Sequence, residues 1–280
     1  MKTCDLHTHS NFSDGSLSPR ELVALAKQQG LRALALTDHN TTKGLAEFTA
    51  AADEAGLQAV PGCEFSTQHH EQELHILGLF MPAQSYVEIE DYVELMHIAK
   101  HRSNEKLLAR LNEGGYALNY DEIAALTDAD EFNRAHVARM LVMKGYATDT
   151  DDAFARFLRQ SCGYYTPAKK LGSLATIRFI KANGGVAVWA HPFFNVDEAW
   201  ARTFLPEAVE AGLDGMEVLY STYTPEQTAS AKALADHFGI LYSGGSDFHG
   251  AAKPKISLGT GLGNLEIPYS YYKKLKEKRQ

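Results

Sequence analysis

Residues 5–16 of the chain read DLHTHSNFSDGS, with the imidazoles of His7 and His9 one residue apart. In an extended strand alternate side chains share a face, so both rings point the same way and Thr8 faces the other side. The turn-prone run from Asn11 to Ser16 then lets the chain double back and bring the Asp14 carboxylate over the same spot. The same residue types recur downstream: Asp38-His39 in LTDHN, Glu64 in PGCEFS, His75 in ELHILGLF, His191 in AHP, and Asp247 with His249 in SDFH. Taken singly, each is an ordinary polar residue on a solvated strand end or a hydrogen-bonded core histidine. Taken together, they would crowd unpaired polar groups into one place, a cost that divalent cations remove. Neutral imidazole and carboxylate oxygen are the usual ligands of zinc, manganese and iron.

This set is larger than the four ligands of a single structural zinc, so more than one metal is implied. Paired metals lower the pKa of a bridging water and clamp a phosphoryl oxygen, which gives phosphate ester hydrolysis by a metal-bound hydroxide. No nucleophilic side chain is then required. Cys63, beside Glu64, reads as a small packing residue, and Asp38 as either a partner orienting an imidazole or a cap for the next helix.

The elements that must position these residues alternate between strand and helix. Ser18-Pro19-Arg20-Glu21 opens a helix as a capping box with proline at the first helical position, and Leu22, Leu25 and Ala26 form its buried stripe up to Gly30. A strand at 31–37, a helix near 42–54 and strands at 57–66 and 73–80 follow, joined by short loops. After Pro82 the spacing of Val87, Tyr92, Val93, Met96, Leu107, Leu108 and Leu111 predicts one long helix over 85–113. Helical patterns near 121–127, 134–145 and 150–159 continue it, so 85–165 reads as an inserted helical subdomain. The frame on either side is 1–84 and 166–280. Alternation resumes with helices at 173–183, 198–211 and 225–238 and strands at 185–190, 215–220 and 240–245. Seven strand-helix units suggest a closed or partly closed α/β barrel, in which strand C-terminal ends converge on one mouth.

Bulk properties limit the function classes. A net charge of −8 over 280 residues argues against a broad basic surface for long duplex nucleic acid. No run approaches the roughly 18 apolar residues of a membrane span, and MKTCD has no apolar region behind its lysine, so a cytoplasmic protein is expected. Cys4, Cys63 and Cys162 fit reduced thiols better than a disulfide framework.

In this order and at these separations, DLHTHSNFSDGS, LTDHN, PGCEFS, HILGL, AHP and SDFH resemble the polymerase-and-histidinol-phosphatase (PHP) superfamily over essentially the whole chain. The helical insertion and FNRAHVARMLVMKGY (132–146) resemble the branch of single-chain phosphoesterases that contains nucleoside bisphosphate phosphatases and an exonuclease acting on short RNA. The resemblance implies a distorted (β/α)7 barrel with a helical insertion and a trinuclear site. Its implied ligands are His7, His9, Asp14, His39, Glu64, His75, His191, Asp247 and His249, with Glu64 bridging. Two or three manganese, iron or zinc ions are expected, with the catalytic work falling to Asp14, His39, Glu64, His191 and Asp247.

Branch members tend to have Gly-Arg-Pro-His where this chain has Asn133-Arg134-Ala135-His136, and a small residue where Phe193 follows His191-Pro192. Arg134 and His136, with Lys169 or Lys170, are expected to hold a substrate phosphate. The expected activity is a phosphomonoesterase on a nucleotide, a nucleoside bisphosphate or monophosphate, or a similarly small phosphorylated metabolite. The rivals are a histidinol-phosphate phosphatase and a phosphodiesterase or short-oligonucleotide 5'-3' exonuclease. The latter would need an aromatic platform, for which Tyr164, Tyr165, Phe193 and Phe194 are candidates. A non-catalytic metal-binding interaction module is the rival outside enzymes, but no ligand position is missing.

Overall fold

The computed structural model describes residues 2–127, 132–168 and 170–279. The chain divides into two compact units, one made of Met1–Glu90 and Leu171–Gln280, the other of Asp91–Lys170.

In the first unit the strands β1 (Cys4–Asp5), β2 (Ala33–Leu36), β3 (Gln58–His69), β4 (Gln72–Leu79), β6 (Val186–Ala190), β7 (Gly215–Tyr220) and β8 (Leu241–Gly245) lie side by side in that order, and the short β5 (Leu171–Gly172) pairs with β3. Backbone bonds from Leu6 N–H to Gly244 O and from Asp247 N–H to His7 O bring β8 against the first strand and nearly close the barrel. β2 and β6 are buried along their whole length, as expected of strands covered on both faces, and read ALAL and VAVWA without a polar residue.

Helices α1 (Pro19–Gln28), α2 (Leu45–Ala55), α7 (Ser173–Ala182), α8 (Glu198–Glu210), α9 (Pro225–Phe238) and α10 (Tyr269–Glu277) complete this unit. The Ser18–Glu21 capping box forms as the sequence predicts, and Leu22 and Ala26 are buried against Leu34, Leu45 and Phe48.

The strand-helix rhythm is interrupted once. β3 and β4 are joined directly at His70-Glu71, with His70 in the left-handed region (φ 52°), so β4 runs antiparallel to both β3 and β6. A connection this short allows only a hairpin, since a parallel crossover needs a dozen or more residues.

In the second unit α3 (Tyr86–Glu113), whose first turn belongs to the barrel unit, is followed by α4 (Tyr120–Ala124), α5 (Arg134–Met143) and α6 (Thr150–Ala153), which passes into a wider π-helical turn over Phe154–Leu158. Asn119, Asn133 and Asp149 cap the three short helices, accepting backbone N–H bonds on their side chains. Leu107, Leu111, Phe132, Val137, Leu141 and Phe157 form its core. Among the described residues no helix is long and apolar enough to cross a membrane.

Candidate metal centre

The HxH alternation plays out as the strand period requires. Thr8 turns towards β2, donating its hydroxyl to Ala35 O at 2.5 Å, while His7 and His9 turn inward and bring their Nε2 atoms within 3.1 Å of each other. Asp14 returns on the 10–16 loop. That loop is shaped by Asp38, whose carboxylate accepts from Ser10 N–H (2.7 Å), Ser10 Oγ (2.6 Å) and Ser13 Oγ (2.6 Å). Asp38 therefore reaches an imidazole only through Ser13 Oγ, 3.5 Å from His9 Nδ1, and does not cap α2, for which the N-cap is Gly44. Gly15 lets the loop close: a Cβ there would lie 2.4 Å from His9 O.

Glu64, fully buried on β3, is the hub. Its Oε1 accepts from His75 Nδ1 at 2.8 Å and His191 Nε2 at 3.0 Å. Its Oε2 lies 3.1 Å from His7 Nε2, 3.2 Å from His9 Nε2 and 3.1 Å from His39 Nδ1. The antiparallel direction of β4 delivers His75 to this end from the strand's own start, where it pairs with Ser66. His191 and Asp247 follow β6 and β8 with φ of 30° and 56°, left-handed conformations that non-glycine residues adopt at a cost. Asp247 turns Oδ1 towards His9 Nε2 (3.2 Å), while its Oδ2 accepts from Tyr220 Oη (2.8 Å) and Lys253 Nζ (2.7 Å). His249 Nε2 approaches Asp14 Oδ1 at 3.2 Å.

All nine of the barrel residues singled out in the sequence thus gather at one end of the barrel. Three overlapping groups have ligand atoms within 4.8 Å of one another: His9, Asp14, His39 and His249; His7, His9, Glu64 and Asp247; and His39, Glu64 and His75. His191 joins them through Glu64. Glu64 Oε2, His39 Nδ1 and His249 Nε2 are buried yet have no hydrogen-bond partner, although other ligand atoms stand 3.1–3.2 Å away. Buried ligand-type atoms left without a hydrogen-bond partner this close together are what cation sites would satisfy. The donor set therefore fits divalent metal ions.

Charge in the cluster follows the same logic. Burial raises the cost of ionising Glu64 and Asp247, but the imidazoles around them hold both carboxyls well below the usual range. Asp14 is likewise lowered, its partial burial outweighed by His249, His39 and His9. Burial would lower His9 and His75, yet the facing carboxylates push both up to about 9. His39 is the exception, with burial holding its imidazole below its ordinary value despite Glu64.

The expected phosphate-binding residues lie in the helical unit. The Arg134 guanidinium donates to Leu158 O at 3.1 Å and stacks 4.3 Å from the Tyr165 ring centroid. His136 Nδ1 accepts from Asn133 N–H at 3.1 Å, completing a capping box. Lys169 lies outside the described residues.

Sequence reasoning missed Glu217, Tyr220 and Lys253, which contact His7, His191 and Asp247 from behind. The one available signal was a charged residue within the apolar strand GMEVLY.

The PHP domain profile matches residues 5–166. A 5'-3' exoribonuclease of Haemophilus influenzae is 35% identical over 249 residues, covering 89% of this chain and 90% of the relative. A 3',5'-nucleoside bisphosphate phosphatase of Chromobacterium violaceum is 31% identical over 252 residues, covering 89% and 88%. Among solved structures, an amidohydrolase from Chromobacterium violaceum with bound sulfate and no metal superposes with a TM-score of 0.79 at 27% identity, covering 99% of this chain and 96% of that one.

Proposed function

The chain belongs to the PHP domain family, and from that premise we propose that it is a metal-dependent phosphoesterase whose substrates are small phosphorylated molecules of the nucleotide class, cleaved as phosphomonoesters. The observation that carries this reading is the set of three histidine–carboxylate groups sharing His9, His39 and Glu64. His7, His9, Asp14, His39, Glu64, His75, His191, Asp247 and His249 would hold two or three manganese, iron or zinc ions. When bound, such ions supply Lewis-acid neutralisation of phosphoryl charge and a water activated at neutral pH.

The protein's own groups do the rest. Glu64, reached by five imidazoles, ties the histidines of the cluster together. His39 and Asp14, with side chains 26% and 56% exposed, form the rim where a phosphoryl group enters, and His7, His9 and Glu64 form the dry floor. Lys253, held against Asp247, adds positive charge beside the cluster. Cys63 is no nucleophile, because burial keeps its thiol well above the ordinary pKa. Arg134, His136 and Lys169 are proposed to hold a substrate phosphate.

Cleavage of short oligoribonucleotides is the second reading. The Haemophilus relative favours it, and so does Phe194, 64% exposed with its ring centroid 5.6 Å from that of His191, where a base could stack. Of the other aromatic candidates, Phe193 packs on Tyr223, and Tyr164 and Tyr165 pack against the helical core.

The test combines metal analysis with a substrate panel: a 3',5'-nucleoside bisphosphate, a nucleoside monophosphate, histidinol phosphate and a short 5'-phosphorylated oligoribonucleotide. We expect two or three metal ions per chain, loss of activity on chelation, and the highest kcat/KM on a nucleotide monoester. Full activity at near-zero metal content would refute the mechanism, and preference for histidinol phosphate would refute the substrate class.

A further inference from the structure

We propose that Glu217 is a positioning residue that fixes which ring nitrogen of His7 faces the metal cluster and locks the backbone of His191 beside it. The proposal rests on the metal-site reading above and goes beyond it to a residue that is not itself a ligand.

Glu217 lies on β7 opposite Ser243 of β8 and is fully buried. Its Oε1 and Oε2 lie 3.2 and 3.3 Å from His7 Nδ1, and Oε2 also accepts from His191 N–H at 2.7 Å. A carboxylate only accepts, so the shared proton sits on His7 Nδ1 and the lone pair is left on Nε2. That nitrogen is the one that faces the cluster, 3.1 Å from Glu64 Oε2 and from His9 Nε2. With the opposite tautomer His7 would aim a proton at the same atoms and could not bind a cation. Carboxylate partners of this kind set ring orientation and ligand basicity in many metal sites.

The second bond acts on a different strand. His191 sits in the left-handed region at φ 30°, and its N–H has Glu217 as the acceptor that holds this strained turn and the aim of Nε2 at Glu64. One carboxylate on β7 thus ties together two candidate ligands, His7 just after β1 and His191 just after β6. Gly245 makes room for this: a Cβ there would lie 2.1 Å from His7 Cβ and 2.9 Å from Glu217 Oε1.

Glu217→Gln isolates the role, since it keeps size and shape. A glutamine offers one oxygen where two donors need acceptors, so its amide N–H2 opposes either His7 Nδ1–H or His191 N–H. Wild type and Glu217→Gln are stripped, reloaded with Zn2+ and compared by equilibrium dialysis, by 15N–1H correlation of the histidine rings, and by kcat and KM.

In zinc-loaded wild type the proton of His7 is expected on Nδ1. A proton on Nε2 overturns the proposal whether or not the variant folds. The variant is expected to bind zinc roughly 10- to 100-fold more weakly, to lose the His7 Nδ1–H signal or exchange it faster, and to lose kcat more than it raises KM. Equal zinc affinity with unchanged ring signals overturns the positioning role alone. Absence of stoichiometric zinc, manganese or iron from wild type, with no zinc taken up on reloading, overturns the metal-site reading and this proposal with it.

Discussion

Replacing Glu64 by glutamine strikes the hub of the candidate centre. The side chain keeps its shape, but one of its two acceptor oxygens becomes an N–H2 donor. If the nitrogen takes the Oε2 position, it faces His7, His9 and His39 at 3.1–3.2 Å; at the Oε1 position it faces His75 and His191 at 2.8 and 3.0 Å. Either way a fully buried amide donor stands where a carboxylate oxygen would face the cations, and the negative charge is lost. Glu64 belongs to two of the three ligand groups. If each loses one charge-assisted contact of about 1.5–3 kcal/mol, the combined loss is about 3–6 kcal/mol, or roughly two to four orders of magnitude in total cation affinity.

Equilibrium dialysis against buffered Mn2+ or Zn2+ measures that loss, with thermal melts confirming that the fold is retained. Turnover on the best substrate should fall with metal occupancy. Glu73→Gln is the control: Glu73 Oε1 reaches His75 Nε2 only at 3.5 Å and the side chain is 49% exposed, so its loss should change affinity by less than about fivefold. Wild-type metal content and rate in Glu64→Gln would refute the hub role.

Arg134→Ala should leave metal content unchanged and lower kcat/KM for a nucleotide by roughly one to three orders of magnitude, with a smaller effect on p-nitrophenyl phosphate if the guanidinium holds a second, non-reacting phosphate; equal rates on both substrates would remove Arg134 from recognition. Gly15→Ala, which puts a methyl 2.4 Å from His9 O, should displace Asp14 and lower metal occupancy, measured by metal analysis; normal occupancy would show that the loop can shift without loss. Burial raises Cys4 to about 12, so between pH 7 and 9 it stays a protonated thiol in the folded protein, and alkylation should label Cys162 first and Cys4 only on unfolding; rapid native labelling of Cys4, read by mass spectrometry, would contradict its burial. Phe194→Ala should lower kcat/KM for a short oligoribonucleotide by roughly tenfold while sparing p-nitrophenyl phosphate, and an equal effect on both would rule out base stacking.

The candidate cluster was legible in the sequence because most of its members are placed by local rules. Period-two alternation puts His7 and His9 on one face, turn chemistry returns Asp14, and strand ends carry His39, His191, Asp247 and His249 to the mouth of the barrel. The capping box at Ser18 and the long helix after Pro82 are likewise short-range signals. Tertiary structure decided the rest. Asp38 read as an imidazole partner or a cap, yet it binds Ser10 and Ser13 across a loop that only the folded chain closes. The direction of β4 depended on its pairing with both β3 and β6. Glu217 meets His7 across 210 residues of sequence, through a strand order that no local pattern encodes. Periodicity fixes which way a side chain points along its own element, whereas the partner behind a ligand depends on which distant strand is brought alongside. The sequence therefore determined which side chains gather in the cluster, and the fold alone determined the groups that stand behind them.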